Sequence, residues 1–256
     1  MKLDQSIYYF FLFWYACGVI LLSFDILPPA LEWANVVFLI AAGIIGGIYF
    51  IRSYGRTKGL AISALIVFFS IFAEHLGVEY GILFGDYYYT QDFGPKLIGV
   101  PIAIGFAWLM VIASSHALAK VIAYNQNVIL YVLTGSFLAV LMDLIIDPVA
   151  YEVKEYWVWQ AESFYYNIPF SNFAGWFIVA FILHFAIYLI VHKEITTYNL
   201  WHSRMILVFG LIQAMFILLA LINQLWLAVI MTASLTAIAL AGYYLSLKRF
   251  RHDRSR

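Results

Sequence analysis

The sequence predicts an all-α fold, a polytopic transmembrane helical bundle of about eight spans with N- and C-termini on the cytoplasmic side. Three observations predict it. Eight apolar runs occur, at 7–24, 33–51, 60–77, 98–118, 127–146, 172–192, 205–222 and 225–246, and most have the ~20 residues that cross the ~30 Å hydrocarbon core of a bilayer. Hydrophobic residues make up 65% of the chain and charged residues 11%, a balance foreign to soluble domains. Alternate connections also divide the basic residues unequally. One side receives Lys2, Arg52, Arg56, Lys58, Lys120, Lys193, Arg204, Lys248, Arg249, Arg251, Arg254 and Arg256, the other only Lys96 and Lys154. Basic loops mark the cytoplasmic face.

The acids follow the opposite bias. Asp4, Glu194 and Asp253 fall inside, whereas Asp25, Glu32, Glu74, Glu79, Asp86, Asp92, Asp143, Asp147, Glu152, Glu155 and Glu162 fall outside or in the outer half of a span. Formal net charge is zero, so no polybasic surface for nucleic acid is implied. The chain reads as one integral membrane domain, 1–256, with a functional middle at about 60–192 and scaffold runs at 7–51 and 205–246.

Taken in order, the first run is too long and too aromatic for a signal peptide and has no small-x-small cleavage site after it, so it reads as a span. The sole cysteine, Cys17, lies within it; no disulfide or cysteine-based metal site can form. The second run carries Gly43, Gly46 and Gly47, small residues that admit close helix approach. The third carries Glu74, His75 and Glu79, and the loop after it, 78–97, contains Tyr87, Tyr88 and Tyr89. The fourth holds Trp108 and His116; the fifth ends in Asp143, Asp147 and Pro148, and proline predicts that the helix stops there. A second aromatic outer loop, 147–171, contains Trp157, Trp159, Tyr165 and Tyr166. Irregular backbone at the membrane surface must be satisfied by protein or water, so both loops are expected to fold over the bundle as a cap. The sixth run carries Asn172, Trp176 and His184, and the last two runs are bland. A basic tail from Lys248 suits anionic lipid.

A faint repeat runs through the middle. Pro101, Trp108 and His116 have the same mutual spacing as Pro169, Trp176 and His184, which suits a parallel repeat about an axis along the membrane normal.

A carboxylate in mid-span costs roughly 2.5–3.5 kcal/mol and usually has a purpose. Glu74 and Asp143 lie at similar heights, about 22 and 24 Å along their helices at 1.5 Å per residue. Asp143 shares a helix face with Asp147, and His75 with Glu79. A plain reading is available, in which these groups cap helix ends or pair in a structural network. The chemical reading starts from desolvation, which favours the neutral form of a carboxyl group. A neutral carboxyl aimed into lipid is a general acid for an oily alkene. Protonation of a trisubstituted double bond gives a tertiary carbocation, which Tyr and Trp faces stabilise, and a second carboxylate can position the water that quenches it. His116 and His184 lie deeper and are expected to make helix–helix hydrogen bonds. No lysine stands in mid-span for a retinal Schiff base, and no histidine cluster has oxygenase spacing.

The run Glu74-His75-Leu76-Gly77-Val78-Glu79-Tyr80-Gly81, followed by Phe84 to Thr90, resembles the signature of the membrane carotenoid biosynthesis family. So do Gly99-Val100-Pro101 with Trp108, Asp143 with Asp147-Pro148, and Trp157 and Trp159 followed by Tyr166, Pro169, Asn172, Gly175 and Trp176. The resemblance spans residues 70–180; outside it only hydropathy matches. That family includes bisanhydrobacterioruberin and γ-carotene hydratases. The resemblance implies a cofactor-independent, metal-free carotenoid hydratase. Such an enzyme adds water across the terminal double bond of an acyclic ψ end group to give a tertiary alcohol. Glu74 and Asp143 are then the acid and water-positioning candidates in either order, with Asp147, His75 and Asn172 as supporting polar groups. Tyr87, Tyr89, Trp108, Trp157, Trp159 and Trp176 would wall the cation site. Expected partners are a carotenoid drawn from the bilayer, water and membrane lipid, in the cell membrane. Two rivals stand beside this: a lycopene-type cyclase, in which an internal double bond captures the same cation, and a non-enzymatic lipid- or pigment-binding or transport protein.

Overall fold

The computed structural model describes residues 2–90, 93–123, 128–160, 163–191 and 199–254; Asp92, Glu162, Lys193, Glu194 and Arg256 lie outside the described residues. The elements run α1 (Lys2–Ser23), a short 3-10 turn (Pro29–Leu31), α2 (Trp33–Tyr54), α3 (Arg56–Tyr80), β1 (Tyr87–Tyr89), β2 (Lys96–Leu97), β3 (Val100–Pro101) and α4 (Ile102–Ile122). Then follow α5 (Val128–Pro148), a π-helical turn (Val149–Val153), β4 (Trp157–Trp159), α6 (Phe170–Val191), α7 (Leu200–Ile222) and α8 (Trp226–Arg254). All eight α-helices are long and apolar enough to cross a membrane. The predicted runs are recovered with boundaries shifted by a few residues, and the protein is a multi-pass membrane bundle.

α4 is the central helix, the most deeply buried of the eight spans, and α2 lies directly against it. The glycines of α2 make that contact possible. A methyl group at Gly46 would stand 2.9 Å from the Leu109 carbonyl oxygen and 3.0 Å from the Ala113 side chain, distances that force backbones apart. Asp4 of α1 pairs with Arg52 of α2 at one face, and Lys154 faces Asp25 at 3.7 Å at the other.

α5 ends at Pro148, as the proline predicts. Pro148 is the last residue of the α-helix, and the chain goes on in a different hydrogen-bonding pattern, the π-helical turn through Val153. Proline lacks the N–H that would bond the Leu144 carbonyl. Here the Tyr165 hydroxyl donates to that carbonyl at 2.6 Å. A side chain from the following loop thus supplies the missing donor at the end of α5.

The two aromatic loops form the expected cap, and they do so by pairing. β1 and β4 run antiparallel, with Tyr87 opposite Trp159, Tyr88 opposite Val158 and Tyr89 opposite Trp157. β2 and β3 make a second small ribbon. Strand alternation turns residues two apart to one face. Tyr87 and Trp159 are accordingly buried, while Tyr88 is 48% exposed. The proposed repeat has a structural counterpart in this pairing, since β1 follows α3 as β4 follows α5. At the inner end, His116 bonds the Tyr54 hydroxyl through Nε2 (2.7 Å) and the Tyr131 hydroxyl through Nδ1 (2.6 Å), tying α2, α4 and α5. His184 meets Ser115 Oγ at 3.2 Å. Both histidines make the helix–helix hydrogen bonds expected of them.

Candidate functional site

The site grows from three helices and the ribbon above them. Glu74 is buried in the last third of α3. Its Oε1 accepts from Trp108 Nε1 of α4 at 2.8 Å, and its Oε2 accepts from the Tyr89 hydroxyl at 3.3 Å and from the Tyr87 hydroxyl. Three donors therefore converge on one carboxyl group.

Facing it are Asp143 and Asp147, one helical turn apart on α5 and 1% and 2% exposed. Asn172, in the first turn of α6, donates from Nδ2 to Asp143 Oδ2 at 2.8 Å and to Asp147 Oδ2 at 2.6 Å. Asp147 Oδ1 accepts in addition from Trp157 Nε1 of β4 at 2.9 Å. The sequence spacing that put both aspartates on one face is what allows a single amide to bridge them.

Aromatic faces fill the space between. Trp108 stacks on Trp176 with ring centroids 4.1 Å apart and 22° between planes. Tyr87 lies 4.9 Å from Trp159, and Tyr89 meets Trp157 edge-on at 6.3 Å. Burial first, then the neighbouring Glu74 charge, pushes the Tyr87 and Tyr89 hydroxyls well above the ordinary tyrosine range. They remain neutral donors.

These groups border a chamber of about 300 Å³. Glu74, Asp147, Asn172, Tyr87, Tyr89, Trp108, Trp157, Trp159 and Trp176 all line it. Lys154, Asn35 and Tyr156 also line it, and the apolar part of the wall comes largely from runs expected to be scaffold: Phe13 and Leu21 of α1, Phe38 of α2, and Ile212 and Met215 of α7. The chamber lies at the end of the bundle that carries the β1–β4 ribbon.

Two candidates move. Asp143 is not among the lining residues; it stands behind Asn172, and Asp147 takes the position beside the chamber that Asp143 was expected to hold. The cause is geometric, because one turn further along α5 brings the side chain under the ribbon, where Trp157 reaches it. His75 does not join the polar shell among the described residues. Its Nδ1 meets the Ile98 carbonyl at 2.8 Å, and its ring packs edge-on against Tyr80. Neighbours on a helix point about 100° apart, so Glu74 facing inward sends His75 toward the β2–β3 loop. Glu79 is exposed.

A sequence model of the family described as "Carotenoid biosynthesis protein" matches residues 34–240, from α2 into α8. Bisanhydrobacterioruberin hydratase of Haloarcula japonica is 30% identical over 142 residues, which are 54% of this chain and 47% of the relative. The chain thus spans about half the length of that relative. No solved structure gives a significant match.

Proposed function

This chain belongs to the carotenoid biosynthesis protein family, and we propose that within it the chain is a carotenoid hydratase of the cell membrane. The observation that carries the proposal is the chamber. Glu74 and Asp147 border one apolar space whose walls are Trp and Tyr faces, and a polyene end entering it meets an acid, a base and a cation-stabilising surface together.

The reaction follows from those groups. One carboxyl group gives its proton to the less substituted carbon of the terminal double bond; the π pair forms the new C–H bond and leaves the tertiary carbon cationic. The stacked Trp108 and Trp176 and the nearby Tyr and Trp rings offer negative faces to that charge, each such contact being worth roughly 0.5–2 kcal/mol. A water oxygen attacks the cation, and its surplus proton passes to the other carboxylate. The product is a tertiary alcohol, and both carboxyl groups together end with the protons they began with. No cofactor is required by this sequence of steps. The ribbon over the chamber limits access of bulk water, which favours capture by one held molecule. A new hydroxyl formed in the outer third lies near the headgroup level, where it is readily hydrated.

Expression of the full chain in a carotenoid-producing host without hydratases tests the proposal. The pigment is expected to gain the mass of one water for each end modified. A ring at unchanged mass would identify the cyclase rival, and unaltered pigment would contradict catalysis on this substrate class.

A further inference from the structure

The two halves of the site are not equivalent, and their hydrogen bonds distinguish them. Four lone-pair positions are available on a carboxylate. Glu74 has three of them met by donors, from Trp108, Tyr87 and Tyr89, the pattern of a group held as an acceptor. Asp143 and Asp147 share the three N–H contacts of Asn172 and Trp157 between two carboxyl groups. Two carboxylates held on one amide nitrogen, both buried, repel each other, and like-charged carboxyls at such range retain one proton between them. Only Asp147 of the pair reaches the chamber.

We infer that the bridged aspartate pair is the acid, delivering its proton through Asp147, and that Glu74 is the carboxylate that takes the proton from the attacking water. This rests on the hydratase reading and assigns its two roles. In the first step the Asp147 O–H bond breaks, the alkene π pair forms the C–H bond, and the tertiary carbon becomes cationic. In the second, water oxygen bonds that carbon and a water proton moves to Glu74. The proton that Glu74 collects replaces the one the pair released, and exchange with solvent restores both. Asp143 is a positioning residue: it keeps the shared proton on the pair and does not touch substrate.

The assignment separates two partial reactions. Protonation followed by loss of a proton from the same carbon regenerates the alkene, and in heavy water it exchanges one hydrogen for deuterium without hydration. Purified Glu74→Gln protein in detergent, given an acyclic carotenoid in heavy water, is expected to form no alcohol yet to return alkene carrying deuterium at the terminal double bond. Asp147→Asn is expected to return it unlabelled. Retention of the polyene absorbance on each purified variant shows that both are folded. Unlabelled alkene from Glu74→Gln, or labelled alkene from Asp147→Asn, would overturn the assignment. The hydratase reading would survive either result, because it fails only if the unmutated protein forms no alcohol.

Discussion

Trp108 and Trp176 lie face to face, 4.1 Å apart, although they belong to different helices and occupy corresponding places in the weak internal repeat. The contact brings the two halves of the middle region together at the chamber wall. Trp108 spends its N–H on Glu74, which fixes its ring and leaves the stack as a rigid surface. If that surface stabilises a cation, Trp176→Leu should lower the rate of alcohol formation by about 2- to 30-fold, the equivalent of 0.5–2 kcal/mol. Trp176→Phe should retain more of the rate than Leu. Initial rates measured with matched amounts of folded protein check this, and equal rates for Leu and Phe would remove the stack from the mechanism.

Asn172 holds two buried carboxyl groups with one amide. Replacement by Leu leaves both without that donor, and hydrogen bonds to charged groups contribute about 1.5–3 kcal/mol each. Asn172→Leu should therefore lower the unfolding midpoint in detergent and reduce activity. The loss of stability should shrink when Asp143→Leu is added, since one of the two stranded groups is then gone. Thermal unfolding of the single and double variants measures this coupling.

Tyr165 makes a different kind of contribution. Its hydroxyl supplies the donor that Pro148 cannot give to the Leu144 carbonyl. Tyr165→Phe strands that carbonyl, at about 1–3 kcal/mol. Tyr165 does not line the chamber, so the variant should lose stability while its alcohol product is unchanged. Proline at 148 replaced by Ala should offset part of the loss, by restoring the backbone donor.

The raised tyrosines of the ribbon give a pH signature. In the unfolded chain Tyr87 and Tyr89 ionise near pH 10, whereas in the folded protein burial and Glu74 hold their protons to higher pH. Above pH 10 the unfolded state therefore binds fewer protons than the folded one, and stability falls as pH rises. Their contribution is fully present below pH 10. A Tyr87→Phe variant should show a shallower decline of the unfolding midpoint between neutral and strongly alkaline pH than the unmutated protein.

Hydropathy made the bundle legible, because a span needs little more than length and apolar character, and each of the eight runs became a helix. The carboxyl layer was legible for a related reason: charge in a span is costly enough to stand out. What sequence spacing could not supply was direction. Asp143 and Asp147 share a face, and only the ribbon above them decides which reaches the chamber, since Trp157 descends on Asp147. The ribbon depends on pairing between strands from distant loops, and a run of three tyrosines carries no sign of its partner. His75 follows from the same limit, as adjacency to Glu74 in sequence means divergence on a helix. The apolar wall from α1, α2 and α7 gave no signal, because residues such as Phe13 and Ile212 are indistinguishable from lipid-facing ones until the helices are packed. Pro148 marked the end of α5 legibly, but the π-helical turn after it and the Tyr165 hydroxyl on the Leu144 carbonyl gave no signal, because that donor comes from beyond the span.

The central claim is that a carboxyl group in this chamber drives addition of water to a polyene. Membranes containing the protein, supplied with an acyclic carotenoid in water labelled with heavy oxygen, measure it most directly. The account predicts one heavy oxygen in each new tertiary hydroxyl, and no alcohol from a Glu74→Gln variant that still binds the polyene. A hydroxyl oxygen drawn from molecular oxygen, or undiminished alcohol formation by Glu74→Gln, would contradict it.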